Sequence, residues 1–185
     1  RPLCLGDGIE LPRHRRSGRG IHHRLTGGAR NFCQSRRREP ESQGMDFPRK
    51  CDNPVEMRAL GHELAQEVEP GQVIGLDGDL GAGKTEFVKG LAAGMGYEGL
   101  ATSPTFTLLH EYAAGKRVLY HLDFYRVEGE QEILALGWDD LLEDPVGVVV
   151  VEWASKFAGL LPPGALRLRL DLAPEGCRRI LRQAP

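Results

Sequence analysis

One short stretch has the residue types and the spacing needed to bind the phosphates of a nucleotide. Residues 78–85 read Gly-Asp-Leu-Gly-Ala-Gly-Lys-Thr and fit the P-loop pattern G-x-x-x-x-G-K-[ST]. Glycines let the backbone turn tightly and bring its N–H groups close to phosphate oxygens. The lysine can reach the β- and γ-phosphates, and the hydroxyl after it can hold Mg²⁺. The predicted phosphate-binding residues are Gly78, Asp79, Leu80, Gly81, Ala82, Gly83, Lys84 and Thr85.

The segments on either side of this stretch fit a P-loop. Residues 73–77 form a short β-type run, and apolar residues at helical spacing follow between Phe87 and Met95. A strand before the loop and a helix after it place the phosphates at the positive end of the helix. The alternative is a chance glycine loop before a helix, which the complete motif in this context argues against.

Two acidic residues at the ends of predicted strands are candidates for the rest of the site. Glu152 directly follows the β-branched run of residues 146–151, and Asp123 ends the run of residues 118–122. Such a carboxylate can hold Mg²⁺ or orient a nucleophile. Simpler interpretations are an edge-strand carboxylate paired with Arg126 for Asp123, and an acid at the start of a helix for Glu152.

A polar loop and a tryptophan are further candidates. Residues 102–105 read Thr-Ser-Pro-Thr, and Pro104 stiffens a loop whose hydroxyls, including that of Thr105, could face the γ-phosphate as a switch segment does. A capped start of a strand explains these residues almost equally well. Trp153 could stack on a base or pack in the core, and the core is the commoner position.

The remaining patterns predict the elements that carry these residues. A helix begins near Pro54 and continues to about Val68, capped by Asp52 or Asn53. The other predicted elements are strands over 105–112 and 117–125 that form a hairpin, short helices over 130–136 and 138–142, a strand over 165–172 and a final edge strand over 177–181. Together they predict a three-layer α/β, P-loop NTPase-like domain with a mixed, mostly parallel sheet and an antiparallel hairpin.

The charge is distributed unevenly along the chain. Residues 1–50 carry 12 Lys and Arg against 5 Asp and Glu, whereas the remaining residues carry 12 against 21. Low apolar content and many charges predict a disordered basic tail over residues 1–44. The P-loop and the patterned segments around it predict a single P-loop ATPase domain over 45–185. The tail has three interpretations: a nucleic-acid-binding arm, a transit peptide, or an overextended start before Met45, which we favour.

The cysteines and the apolar runs favour a cytoplasmic protein. The 4 cysteines contain no C-x-x-C pair, and nothing indicates a disulfide framework. The longest apolar run, residues 146–151, is far shorter than a membrane span. We therefore expect a cytoplasmic protein without membrane contact.

Four motifs in this order and spacing resemble those of the bacterial tRNA threonylcarbamoyladenosine biosynthesis ATPase family, TsaE, formerly YjeE. They are the P-loop at 78–85, Ser-Pro-Thr-Phe at 103–106, His-Leu-Asp-Phe-Tyr-Arg at 121–126 and Val-Glu-Trp at 151–153. The similarity extends from about residue 54 to about residue 172. Each motif beyond the P-loop is modest alone, whereas the combination is specific.

The resemblance implies roles for individual residues. It implies that Thr85 and Glu152 hold Mg²⁺, that Asp123 is needed for hydrolysis of ATP, and that the segment containing Glu56 helps to form an adenine pocket. The candidate catalytic residues are accordingly Asp123, Lys84 and Thr105, and the expected cofactors are ATP and Mg²⁺.

The resemblance also implies partners. In that family the ATPase serves TsaD, which transfers the threonylcarbamoyl group to tRNA, and TsaB, which supports TsaD. Contact with tRNA is then indirect, through the complex. The alternative is a small-molecule kinase of the P-loop class, although no Arg-rich lid segment is visible. A GTPase would show an Asn-Lys-x-Asp guanine reader, which the sequence lacks.

Overall fold

A seven-stranded sheet forms the centre of the computed structural model, which describes residues 45–184. The predictions for residues 1–44 lie outside the described residues. The elements are β1 (Arg49–Cys51), α1 (Pro54–Leu64), β2 (Val73–Asp77), α2 (Lys84–Met95), β3 (Leu109–Ala114), β4 (Arg117–Asp123), α3 (Glu130–Ala135), α4 (Trp138–Glu143), β5 (Gly147–Glu152), a 3₁₀ segment (Ala154–Leu160), β6 (Leu166–Leu172) and β7 (Arg178–Arg182).

The sheet has the order β1-β7-β6-β2-β5-β4-β3. The strands β6, β2, β5 and β4 are parallel, whereas β3 pairs with β4, and β7 with β6 and β1, in antiparallel fashion. Every residue of β2 and β5 is buried, as their continuous apolar sequences require of strands covered on both faces. The predicted mixed, mostly parallel sheet with an antiparallel hairpin is confirmed.

Two apolar cores, one on each face of the sheet, make the domain three layers thick. Alternate residues of β5 show the division: Val148 and Val150 belong to the core beneath α1 and α2, and Val149 and Val151 to the core beneath α3 and α4. The predicted three-layer α/β class is therefore confirmed. None of the helices within residues 45–184 is long and apolar enough to cross a membrane.

Some predicted element boundaries were wrong. The strand predicted over 105–112 begins only at Leu109, because the N–H groups of Thr107 and Leu108 turn back to the carbonyl oxygen of Pro104. Helix α1 ends at Leu64 and does not reach Val68. The last strand pairs with β6 as predicted but is not an edge strand, because β1 pairs along its other side. The alternation of apolar and polar residues did not predict β1, which is only 3 residues long.

Glycines allow α1 and α2 to pack backbone against backbone. A Cβ placed on Gly90 would lie 1.9 Å from the carbonyl oxygen of Arg58, and a Cβ on Gly61 would lie 2.1 Å from that of Phe87. Neither carbonyl belongs to a flexible side chain that could move away. This close contact fixes α2, and with it the end of the P-loop, against α1.

We predict that Gly90→Ala destabilises the protein by about 1–3 kcal/mol, the usual range for overpacking, although alanine is the better helix former. Urea unfolding monitored by circular dichroism measures the change. The matched control is Gly164→Ala, because a Cβ on Gly164 has no heavy atom within 4 Å. An unchanged free energy of unfolding for Gly90→Ala would contradict the close helix contact.

Candidate functional site

The P-loop connects the carboxyl end of β2 to the first turn of α2. Gly78 and Gly83 have φ values of 139° and 101°, which lie in the region that favours glycine. A Cβ on Gly78 would also lie 2.2 Å from the carbonyl oxygen of Leu170 on β6. The loop can therefore follow this path beside β6 only with glycine at that position.

A cavity of about 440 Å³ opens beside the P-loop. It is lined by residues that are far apart in the sequence, because β4 and β5 are parallel neighbours and their last residues, Asp123 and Glu152, lie side by side. The lining consists of Leu80, Gly81, Gly83, Lys84, Thr85, Glu86, Ser103, Thr105, Asp123, Tyr125, Arg126, Glu152 and Trp153. The three predicted catalytic residues and the two predicted metal ligands all belong to this lining.

Lys84 holds a largely buried ammonium group in this cavity, with 5% of its surface exposed. Its Nζ donates hydrogen bonds to the carbonyl oxygens of Gly78 at 2.8 Å and Asp79 at 3.0 Å. It also lies 4.0 Å from the centre of the Trp153 ring. Burial lowers the pKa of Lys84, and the negative charges of Glu152 and Asp123 oppose that shift. A bound anion would favour the charged form in the same way.

Thr85 and Glu152 are in direct contact. The Thr85 hydroxyl donates to Oε1 of Glu152 at 2.8 Å, so its lone pairs are available to a cation. Oε2 of Glu152 accepts no hydrogen bond from the described residues, and the side chain lines the cavity. Hydroxyl and carboxylate oxygens fit Mg²⁺, which is commonly held by one or two protein oxygens together with substrate phosphates and water. No group of three or more His, Cys, Asp or Glu within residues 45–184 is arranged to hold a metal by itself.

The carboxylate of Asp123 is held by the polar loop before β3. Its Oδ2 accepts from the hydroxyl of Thr105 and, at 3.5 Å, from that of Ser103. Its Oδ1 accepts from the backbone N–H of Tyr125 at 2.9 Å. Both oxygens of Asp123 therefore have protein donors, whereas Oε2 of Glu152 has none among the described residues.

The guanidinium of Arg126 lies over the Phe106 ring, at 4.4 Å from its centre.

Four predicted site residues are not part of the lining of this cavity: Gly78, Asp79 and Ala82, which belong to the P-loop itself, and Glu56. Glu56 takes part in the cap at the start of α1: its carboxylate accepts from the Asp52 N–H at 2.8 Å, and its own N–H donates to the Asn53 side chain at 3.0 Å. It lines a different cavity, with Arg49 and neighbouring residues. The first turn of α1 still reaches the P-loop, because a Cβ on Gly83 would lie 3.2 Å from the Met57 side chain.

Sequence reasoning missed His121. Its imidazole is completely buried, and its Nε2 lies 2.9 Å from Oε1 of Glu152. The available signal was its position two residues before Asp123 on one strand, which places both side chains on the same face of the sheet.

Trp153, for which base stacking and core packing were both considered, lies at the cavity between Lys84 and Tyr125. The centres of the Trp153 and Tyr125 rings are 5.1 Å apart.

Comparison with known sequences identifies the family of this chain. The family described as "Threonylcarbamoyl adenosine biosynthesis protein TsaE" matches residues 51–180. The chain belongs to the TsaE family. It is 43% identical over 128 residues to the tRNA threonylcarbamoyladenosine biosynthesis protein TsaE of Bacillus subtilis (strain 168), covering 69% of this chain and 79% of the relative. The TsaE protein of Nostoc sp. (strain PCC 7120) is 41% identical over 124 residues, covering 65% and 75% of the two chains.

A solved structure agrees with this assignment. The crystal structure of Bacillus subtilis YdiB aligns with a TM-score of 0.61 at 36% sequence identity, covering 75% of this chain and 84% of YdiB. The predicted resemblance to the TsaE family is therefore confirmed by sequence and by fold. The cavity described above therefore lies in a P-loop NTPase-like fold.

We predict that Lys84→Ala weakens binding of ATP by roughly 1.5–3 kcal/mol, a tenfold to hundredfold rise in Kd, because it removes a charged donor to phosphate. Isothermal titration calorimetry measures the affinity. Lys89→Ala is the matched control, because Lys89 lies on the same helix but pairs with Glu86 at 2.7 Å. Equal affinities for Lys84→Ala and the wild type would mean that the phosphates do not bind at this loop.

Proposed function

We propose that this TsaE family member is a Mg²⁺-dependent ATPase that acts in tRNA threonylcarbamoyladenosine biosynthesis. The supporting observation is the convergence of Lys84, the Thr85–Glu152 pair and Asp123 on one cavity. A phosphate-binding lysine, a cation site and a second carboxylate are the parts that ATP hydrolysis requires. The biosynthetic role follows from the family and from the names of its relatives.

The two carboxylates have different surroundings and therefore different proposed roles. One oxygen of Glu152, Oε2, has no donor among residues 45–184, which suits a ligand of Mg²⁺, either directly or through water, together with Thr85. Asp123 is fixed by donors on both oxygens, which suits a group that orients the attacking water. When bound, Mg²⁺ would neutralise charge on the β- and γ-phosphates. Thr105 acts through Asp123, whose position its hydroxyl fixes.

The entrance of the cavity supports a function within a protein complex. Leu80 and Tyr125, which line the cavity, are 76% and 45% exposed, and Phe106, whose ring lies against the guanidinium of the lining residue Arg126, is 83% exposed. Exposed apolar side chains around a polar cavity are typical of a surface that a partner covers. We propose that the partners are TsaD and TsaB, that ATP hydrolysis supports turnover of their complex, and that contact with tRNA is through that complex.

An ATPase assay with and without the partners tests this proposal. Purified protein is incubated with ATP and Mg²⁺, alone and with TsaD–TsaB, and both phosphate release and threonylcarbamoyl transfer to tRNA are measured. We expect slow turnover alone and faster turnover in the complex. ATP-dependent phosphorylation of a small acceptor, without free phosphate, would instead favour the small-molecule kinase.

We predict that the two carboxylates can be separated by mutation. Glu152→Ala should weaken binding of Mg·ATP while ATP without metal binds as before. Asp123→Asn should bind Mg·ATP normally but hydrolyse it about 10²–10⁴-fold more slowly, the usual range for loss of a general-base or positioning group.

Calorimetry in Mg²⁺ or EDTA, followed by single-turnover hydrolysis in the presence of the partners, measures both effects. Asp139→Asn, a change of the same kind at an exposed site in α4, is the control. Loss of Mg·ATP binding in Asp123→Asn, together with normal binding in Glu152→Ala, would reverse the two roles.

A further inference from the structure

A buried polar side chain next to the cavity has no role in the function proposed above. His121 on β4 has no exposed surface and lies between two polar partners. Its Nε2 is 2.9 Å from Oε1 of Glu152, and its Nδ1 is 3.4 Å from the hydroxyl of Tyr112 on β3. Since an ionised carboxylate only accepts hydrogen bonds, Nε2 carries the proton and donates to Glu152.

This hydrogen bond restricts the carboxylate of Glu152. Glu152 is 3% exposed, and burial of a carboxylate is unfavourable unless donors satisfy it. Its two donors in the part of the chain that the structure describes, Thr85 and His121, both point at Oε1. The Thr85 hydroxyl can rotate about its C–O bond, whereas the imidazole N–H has a fixed direction in the ring plane. His121 therefore determines which oxygen is held and which is left for the cavity.

The other side of the imidazole faces the polar loop, with Nδ1 3.4 Å from the hydroxyl of Tyr112. The Tyr112 hydroxyl donates to the carbonyl oxygen of Thr102 at 2.7 Å and accepts from the Thr102 N–H at 3.1 Å. Thr102 directly precedes Ser103, and the hydroxyls of Ser103 and Thr105 contact Asp123. The imidazole therefore lies between Glu152 and the loop that holds Asp123, and His121 is the residue of this group that touches Glu152.

We propose that His121 is a positioning residue that orients the Glu152 carboxylate so that Oε2 is available to the cation of Mg·ATP. This inference rests on the proposed function. Residues that hydrogen-bond a metal ligand typically change metal affinity about 10–100-fold when they are removed. A residue at this position that only filled space would have no such effect on the metal.

Nucleotide affinity measured with and without metal tests this role separately from catalysis. The Kd of a non-hydrolysable ATP analogue is measured by calorimetry in Mg²⁺ and in EDTA, and the ratio of the two values gives the metal-linked gain. We compare His121→Leu, which removes the donor, with His121→Gln, whose amide can replace Nε2–H. The control is His62→Leu, the same change at an exposed site of α1.

We expect the metal-linked gain to fall at least about tenfold in His121→Leu, with the Kd in EDTA unchanged, and to return largely in His121→Gln. His62→Leu should match the wild type. A full metal-linked gain in His121→Leu would overturn the proposal and make His121 a packing residue. Equal losses of affinity in Mg²⁺ and EDTA, without recovery in His121→Gln, would overturn it as well.

A second pair of variants keeps the test decisive should the leucine variant not fold. His121→Asn is polar like His121→Gln, but its amide is too short to replace Nε2, so only His121→Asn should lose the metal-linked gain. Equal gains in these two variants would overturn the proposal. A wild-type protein without any metal-linked gain would contradict the proposed function itself, whereas a wild-type gain that His121→Asn retains would contradict only the role of His121.

Discussion

The burial of one carboxylate, that of Glu152, is the constraint on which the site depends. Glu152 ends a strand that is covered on both faces, where an unpaired negative charge would be strongly unfavourable. The structure satisfies it with Thr85 from the start of α2 and His121 from β4. These donors come from opposite sides of β5 in the sheet order, so the carboxylate links the P-loop strand to the strand that carries Asp123.

The order of the strands explains why these groups meet. β5 lies between β2 and β4, and all three are parallel, so their carboxyl ends lie along one edge of the sheet. Crevices at the carboxyl ends of parallel strands are where α/β proteins bind ligands. The antiparallel strand β3 begins next to the carboxyl end of β4. The loop of residues 102–105, which precedes β3, therefore lies at the same edge and contacts Asp123.

The sequence predicted the fold class and most elements because their signals are local. The P-loop pattern defines its own strand and helix, and the β-branched run before Glu152 can only be a covered strand. The failures involve contacts between distant segments. Thr105 has a β-type sequence but lies in a turn, where its hydroxyl donates a hydrogen bond to Asp123, 18 positions away. His121 was missed because it depends on Glu152, 31 positions away, which no local pattern reveals. The role of Glu56 stays a prediction, and its observed contacts are local ones in the cap of α1.

The hydrogen bonds of Lys84 indicate how a preformed loop can accept a phosphate. An ammonium group has three N–H donors, and two of them are directed at the carbonyl oxygens of Gly78 and Asp79. Those contacts keep the buried charge solvated by the loop and hold the loop in the shape that the glycines permit. The third donor is then available to a phosphate oxygen without loss of the other two. In the proposed function, binding of a nucleotide would therefore require little rearrangement of the loop.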